Sequence, residues 1–466
     1  MTGRERFDEE YGPGEGDDGD DDDDDGGAAR RRAKPADWTE VFGGNCDDDF
    51  RLGIALEPRG AKGGGVGARL YSDFHHSDII IASPLGLKLT IGDAAPGGAD
   101  GGSADGGSAD GGGALDGGGG GGGGAFDADC LSSLELLLLD EADVMLQQNW
   151  EHARDVLAAA NARPKGDAGG ADITRVRAAL LRGHGRLYRQ TVVLARSMDA
   201  RLAHVFGAEA RNHAGVVRAL EQFGGGEAAE RAEAEGGCAI ARVAAPRVKQ
   251  AFYRVDDDDD DGEEAAGFAR RHRARRGAGA TLVGDALEDA RWRAFCESVL
   301  PSLLGAEAPP TLVYAPSYFD FVRIRGELLR RDAPFVAVSE FSRASEVSRA
   351  RARFFHADQR ARVLLYSGRC DYFKRYAIRG ATHAVFYAPP ERARAYCEVV
   401  DRLGERAGGG AGSDDDDARG REAAVAASCQ LLFTKRDAFA LERIVGSARA
   451  RRMLGASKGV FLFMSQ

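Results

Sequence analysis

The sequence predicts an α/β protein made of two units, each a mainly parallel sheet covered by helices on both faces. Two observations predict it. Short apolar runs such as Ile79-Ile80-Ile81, Leu136 to Leu139 and Val192-Val193-Leu194 alternate with segments whose apolar residues recur at helical spacing. After Pro309-Pro310 that alternation repeats without hairpin signals, which is the pattern of strands joined by helical crossovers. With 466 residues, 43% of them apolar, the chain is long enough for about two or three domains.

Taken in order, residues 1–36 form an acidic, Gly-rich tail with no capacity to bury a core, and order is expected to begin near Asp37. His76 to Gly92 reads as a buried parallel strand, Ile79 to Ile81, leading through a loop into a helix. Leu136 to Leu139 is a second strand, followed by an acidic turn and a helix with Leu146, Trp150, Ala153 and Leu157 on one face. Gln190 to Ala195 is a third strand, and a helix spans about Trp292 to Leu304. Strands are then expected at Thr311 to Ser317, Pro334 to Phe341, Arg362 to Arg369, His383 to Pro390 and from Ser428, with helices between and after them. The first unit is therefore placed at 37–305, with low-complexity insertions at about 93–125, 224–238 and 255–280. The second is placed at 306–466 with an insertion at about 406–421.

The formal charge of -12 conceals two opposed parts. Three runs, Asp17 to Asp25, Asp256 to Asp261 and Asp414 to Asp417, hold eighteen aspartates, and without them the chain carries +6. Only 8 of the 62 basic residues are lysine. Guanidinium forks suit phosphate, although a GC-rich coding sequence writes the same Arg, Ala, Gly and Asp. The seven cysteines are scattered, with no CxxC and no zinc spacing, which favours a reducing compartment over a disulfide framework or a structural metal. No run of about 18 apolar residues exists, and the N-terminus does not read as a signal peptide, so neither export nor a membrane is expected.

The most pointed chemical signal is Asp140-Glu141-Ala142-Asp143, a DEAD tetrapeptide at the carboxyl end of an apolar strand, where open α/β sheets place ligand contacts. There an aspartate can hold Mg²⁺ and a glutamate can polarise a water. A phosphate cradle should accompany it, yet the chain contains no GxxxxGK[ST]. The nearest candidate, Gly86-Leu87-Lys88-Leu89-Thr90, lacks the upstream glycine and reads as a helix start. Tyr396 to Arg402 offers one arginine where a helicase presents a pair.

Seven segments, HSDIIIASPLGLKLTIG, LDEADVMLQQNWEHARDVL, YRQTVVLARS, TLVYAPSYFDFVRIRGEL, EVSRARARFF, FKRYAIRGATHAVFYAPP and LLFTKRDAFALERIVG, occur in this order. Together they resemble the digestive organ expansion factor family, the U3 small nucleolar RNA-associated, DEAD-box-like proteins of the small-subunit processome. The resemblance runs from about Lys34 to Phe463. It implies two RecA-like parallel-sheet domains of P-loop NTPase and helicase type, the first incomplete and interrupted by disordered insertions. It also implies a non-catalytic ribosome-biogenesis factor, in nucleus and nucleolus, without a cofactor or a resident metal. The partners it implies are U3 snoRNA, pre-rRNA and small-subunit processome proteins. An active ATP-dependent RNA helicase is the alternative. The sequence that should precede Lys34, with any phosphate loop, is missing, and the expectation is a truncated gene model or a partner that completes the sheet.

Residue by residue, Asp140, Glu141, Ala142 and Asp143 match helicase motif two as a degenerate, non-catalytic copy. Ala195-Arg196-Ser197 stand where a helicase carries Ser-Ala-Thr. Lys374, Arg375 and Arg379 are candidate phosphate contacts, and Tyr372 and Tyr376 candidate base-stacking rings; a solvated basic turn before a strand is the alternative. Arg349, Arg351 and Arg353 spread around a helix and read as surface. His383 reads as a satisfied core or edge histidine, and Trp150, Phe354 and Phe355 as core.

Overall fold

The computed structural model describes residues 4, 34–43, 48–59, 65–91, 129–164, 174, 176–220, 223, 238–255, 286–305, 307–356, 361–404 and 427–465. The acidic tail and the four expected insertions fall almost entirely outside the described residues. The chain divides into two compact units at Arg218 and Ala219.

In the first unit, β1 (Arg51–Arg59) lies between β2 (Gly65–Leu70) and β3 (Ile79–Ala82), antiparallel to both. The expectation of a buried parallel strand at Ile79 to Ile81 is therefore corrected. Ile80 and Ala82 face the core, whereas Ile79 and Ile81 are 45% and 48% exposed. Three consecutive isoleucines record apolarity but not the direction of the neighbouring strand, and β1 and β2 were not foreseen.

The parallel pair of the unit is β4 (Leu136–Leu139) with β5 (Gln190–Val193), in register Leu136 to Gln190 through Leu139 to Val193. The Trp150–Ala160 helix binds the unit together, because its two apolar faces serve two clusters. Trp150, Ala153 and Leu157 pack with Leu139, Leu146, Leu202 and Val205. Val156 and Ala160 pack with Leu87, Ile91 and Leu131. Asn149 caps the helix by accepting the Glu151 N–H at 3.2 Å.

The second unit is a seven-stranded sheet. In spatial order it runs β12 (Val460–Met464), β6 (Lys249–Arg254), β11 (Ser428–Phe433), β10 (His383–Phe386), β7 (Thr311–Ala315), β9 (Val363–Ser367) and β8 (Phe335–Val338). All neighbours are parallel except β12. Alternation along the central strands sends Leu312, Tyr314, Leu364, Tyr366, Ala384 and Phe386 to one face. It sends Val313, Ala315, Leu365, Val385 and Tyr387 to the other. Both faces are covered by helices, so the central strands are buried throughout.

The unit boundary at 218–219 differs from the expected 300–310 because two earlier pieces pack here. Strand β6 pairs with β11 from Lys249 to Arg254. The Ala286–Ala294 helix is pinned by Arg291, whose side chain is only 4% exposed. Arg291 pairs with Asp437 at 2.7 Å, donates to Thr434 Oγ1 at 3.2 Å and lies over the Tyr387 ring. No low-complexity sequence marks such long-range pairing.

Six cysteines, Cys130, Cys238, Cys296, Cys370, Cys397 and Cys429, are free thiols. Among the described residues no helix is long and apolar enough to cross a membrane. His383 is buried at the start of β10, its Nδ1 bonded to Ser428 Oγ at 2.8 Å, in keeping with a satisfied core histidine. Burial lowers its pKa to about 4, so on acidification the unfolded chain, with a His pKa near 6.5, takes the proton first. Its neutral form therefore contributes stability that is complete above pH 6.5 and lost as pH falls towards 4, by at most about 1.4 kcal/mol per pH unit. Denaturant unfolding at pH 4 to 7 is expected to show this slope, and His383→Gln to flatten it; an unchanged slope in the variant would contradict the assignment.

Candidate functional site

The DEAD tetrapeptide begins where β4 ends. Because β4 and β5 run parallel in register, Asp140 to Asp143 and Leu194 to Ser197 emerge side by side. The Leu194 N–H donates to the Leu139 carbonyl at 2.9 Å and the Ala142 N–H to the Leu194 carbonyl at 2.9 Å. Glu141 turns the chain with φ of 48°, and Ala142 is fully buried.

Two of the three carboxylates serve this turn. Asp140 Oδ1 accepts the Glu141 N–H at 2.9 Å, and Asp143 Oδ1 accepts the Arg196 N–H at 3.1 Å. The Arg196 guanidinium pairs with Glu40 at 3.1 Å, which raises its pKa. Lys88 lies on the Pro84–Ile91 helix, started by Ser83, whose Oγ accepts the Gly86 N–H at 3.0 Å. Its ammonium meets Asp155 at 2.6 Å and ties that helix to the Trp150–Ala160 helix. Among the described residues no group of three or more His, Cys, Asp or Glu converges as a metal site. Asp140 and Asp143 thus each commit one carboxylate oxygen to a backbone N–H, and Lys88, the lysine of the nearest cradle-like segment, is engaged with Asp155.

In the second unit the candidate residues 372–379 follow β9. Ser367 caps the Gly368–Lys374 helix by accepting the Cys370 N–H and donates to Glu340 at 2.8 Å. Gly368 is required there, since a Cβ would stand 2.8 Å from the Pro316 Cα. On the inner face of the helix Asp371 is buried and pairs with Arg392 at 2.7 Å. Burial pushes the Asp371 carboxyl up from the usual aspartate range, and Arg392 opposes that shift.

This network redefines two of the five expected RNA contacts. Tyr372 is buried, with the Arg392 guanidinium 5.3 Å from its ring centre. Arg375 adopts φ of 49° at the helix end, and its side chain, 5% exposed, pairs with Glu398 at 3.1 Å. Their ring and charge are committed to packing, which corrects the reading of these two as a base-stacking ring and a phosphate contact. Tyr376 is half-buried, with Arg351 over its ring, and Arg351 also donates to the Ala377 carbonyl. Arg351 is thus a tether rather than free surface, while Arg349 and Arg353 are exposed. Of the five, Lys374 is half-buried and Arg379 exposed. The Asp371–Arg392 pair was missed because its members lie 21 residues apart with a strand between them.

Arg392→Ala, which strands a buried carboxylate, is expected to destabilise the second unit by about 3 kcal/mol or more, and Arg379→Ala by less than about 0.5 kcal/mol. Chemical unfolding of the two variants checks this; equal, small effects would contradict the structural role of the pair.

A mainly parallel, doubly covered sheet together with a motif-two turn at a strand end defines an α/β protein of the NTP-hydrolase-like class. Comparison with known proteins narrows this class. A family model for the UTP25 NTP hydrolase-like domain matches residues 1–217, and one for the Utp25 C-terminal domain matches residues 280–463. U3 small nucleolar RNA-associated protein 25 homolog of Homo sapiens is 32% identical over 432 residues, covering 93% of this chain and 46% of the relative. U3 small nucleolar RNA-associated protein 25 of Pyrenophora teres f. teres is 32% identical over 437 residues, covering 92% and 52%. A DEAD box protein from the hyperthermophile Methanococcus jannaschii is a structural neighbour at 12% identity and a TM-score of 0.26, covering 70% of this chain and 60% of that one. The chain belongs to the U3 small nucleolar RNA-associated protein 25 family. It spans about half the length of the curated relatives it matches.

Proposed function

We propose that this chain is a ribosome-biogenesis factor that works without ATP turnover, holding U3 small nucleolar RNA or precursor rRNA together with processome proteins during 18S rRNA maturation in the nucleolus. The RNA association is drawn from the names of relatives such as the human homolog. The processome, 18S rRNA and the nucleolus come from the family resemblance. The observation that carries the non-catalytic part is the use of the DEAD carboxylates: Asp140 and Asp143 each accept a backbone N–H of the turn they shape. Through Asp143 and the Arg196 N–H the segment after β4 is tied to the segment after β5, which gives the motif a structural reason to persist without chemistry. In the second unit Arg379 and Lys374 remain the proposed phosphate contacts, Arg379 supported by its exposure.

The intact tetrapeptide favours a second reading, an ATP-dependent RNA helicase. One assay separates them. Steady-state ATP hydrolysis by the purified chain, with and without RNA, is expected to stay at background and to be unaffected by Asp140→Asn. RNA-stimulated turnover abolished by that substitution would overturn the non-catalytic reading.

A further inference from the structure

The strongest unassigned feature lies in the first unit, at the amino end of β5 and therefore at the end of the strand opposite the DEAD turn. The Gly185–Tyr188 turn leads into β5 and leaves Tyr188 61% exposed. The Tyr188 ring meets the exposed His213 ring with centroids 5.3 Å apart and planes inclined at 47°. Large exposed rings beside one another are costly to leave in water without a partner.

The pair is held in place by backbone rather than by chance packing. Both the N–H and the ring Nδ1 of His213 lie 2.9 Å from the Leu187 carbonyl. Asn212 donates to the Arg189 carbonyl at 3.0 Å and accepts the Ala214 N–H at 2.8 Å. The Arg189 guanidinium, itself buried, anchors the same segment through Ala160 and Asn161, at 2.8 Å each. Ring positions fixed before a ligand arrives reduce the ordering cost of binding.

The segment that carries the rings is cationic, and Glu135, whose carbonyl accepts the Gln190 N–H at the same strand end, is paired with Arg177. Residues 176–220 contain eight arginines, no lysine and two carboxylates, Asp199 and Glu209. Both carboxylates are engaged: Asp199 caps the Ala200–Ala208 helix and pairs with Arg201, and Glu209 is paired with Arg154. Arg182, Arg186 and Arg211 are exposed, and none of the three has a carboxylate partner among the described residues. Arg186 reaches across to the Ala208 carbonyl at 3.3 Å, which places its charge at the end of the Ala200–Ala208 helix.

Paired aromatic faces with unpaired guanidinium groups match a polyanion that also presents flat bases. An acidic protein segment would satisfy the charge but leave the rings unused. We infer that Tyr188 and His213 form a stacking platform for unpaired bases of single-stranded RNA, with Arg182, Arg186 and Arg211 meeting its phosphates. This rests on the RNA-binding reading above and adds to it a second RNA contact, on the other unit of the chain.

The test uses the full chain with a fluorescent single-stranded oligouridine and a duplex of equal length. Preference for the single strand is expected, with Tyr188→Ala and His213→Ala each weakening it roughly tenfold. Tyr188→Phe should retain binding, and Arg186→Ala should make the affinity less dependent on salt. As a readout that needs no variant, photocrosslinking of the wild-type chain to thiouridine RNA should give adducts at Tyr188 or His213. If wild-type binds but adducts and alanine effects are absent at both rings, the platform is overturned and the RNA-binding reading survives. If wild-type binds no RNA, both fall. Unchanged RNA affinity with loss of a processome protein from the alanine variants would make the patch a protein-docking surface and overturn the inference.

Discussion

The second unit is organised around a carboxylate that water cannot reach. Asp371, on the helix after β9, pairs with Arg392 from the segment after β10, and the two lie on opposite sides of the central strand β7 in the sheet order. A charge buried that deeply requires its counterion, so the pair fixes the carboxyl ends of these strands relative to one another. Arg392 also covers Tyr372, and Arg375 and Glu398 extend the network to the Ala393–Val400 helix. Both ring and guanidinium of the basic segment are thereby withdrawn from solvent.

Much of the fold was legible because buried parallel strands are short, apolar and separated by helical periodicity. Leu312 to Ala315, Leu364 to Tyr366 and Ala384 to Phe386 are such runs, and all form central strands. What was illegible depended on pairing between distant segments. The antiparallel setting of Ile79 to Ala82 is imposed by β1, and the membership of Lys249 to Arg254 in the second sheet is imposed by β11. Neither partner leaves a mark on the strand it captures.

The candidate site was legible in outline and misread in two details. The proximity of Asp140–Asp143 to Ala195–Ser197 follows from two parallel strands in register, which the apolar runs already suggested. The fate of Tyr372 and Arg375 depends on whether a side chain at helical spacing points inward, and the groups they meet there, Arg392 over the ring and Glu398 at the guanidinium, come from a later helix and its approach. Tyr188 and His213 were invisible for a related reason: 25 residues apart, they become neighbours only through hydrogen bonds to the Leu187 carbonyl.

At the turn from Asp140 to Asp143 two carboxylates have structural work, each accepting a backbone N–H. The claim that this chain meets RNA directly in ribosome assembly is tested most directly by ultraviolet crosslinking of the tagged protein in cells, followed by sequencing of the attached RNA. Enrichment of U3 small nucleolar RNA or precursor rRNA is the result the account predicts. Processome proteins that co-purify with no crosslinked RNA would contradict it and leave the two units as protein-binding scaffolds.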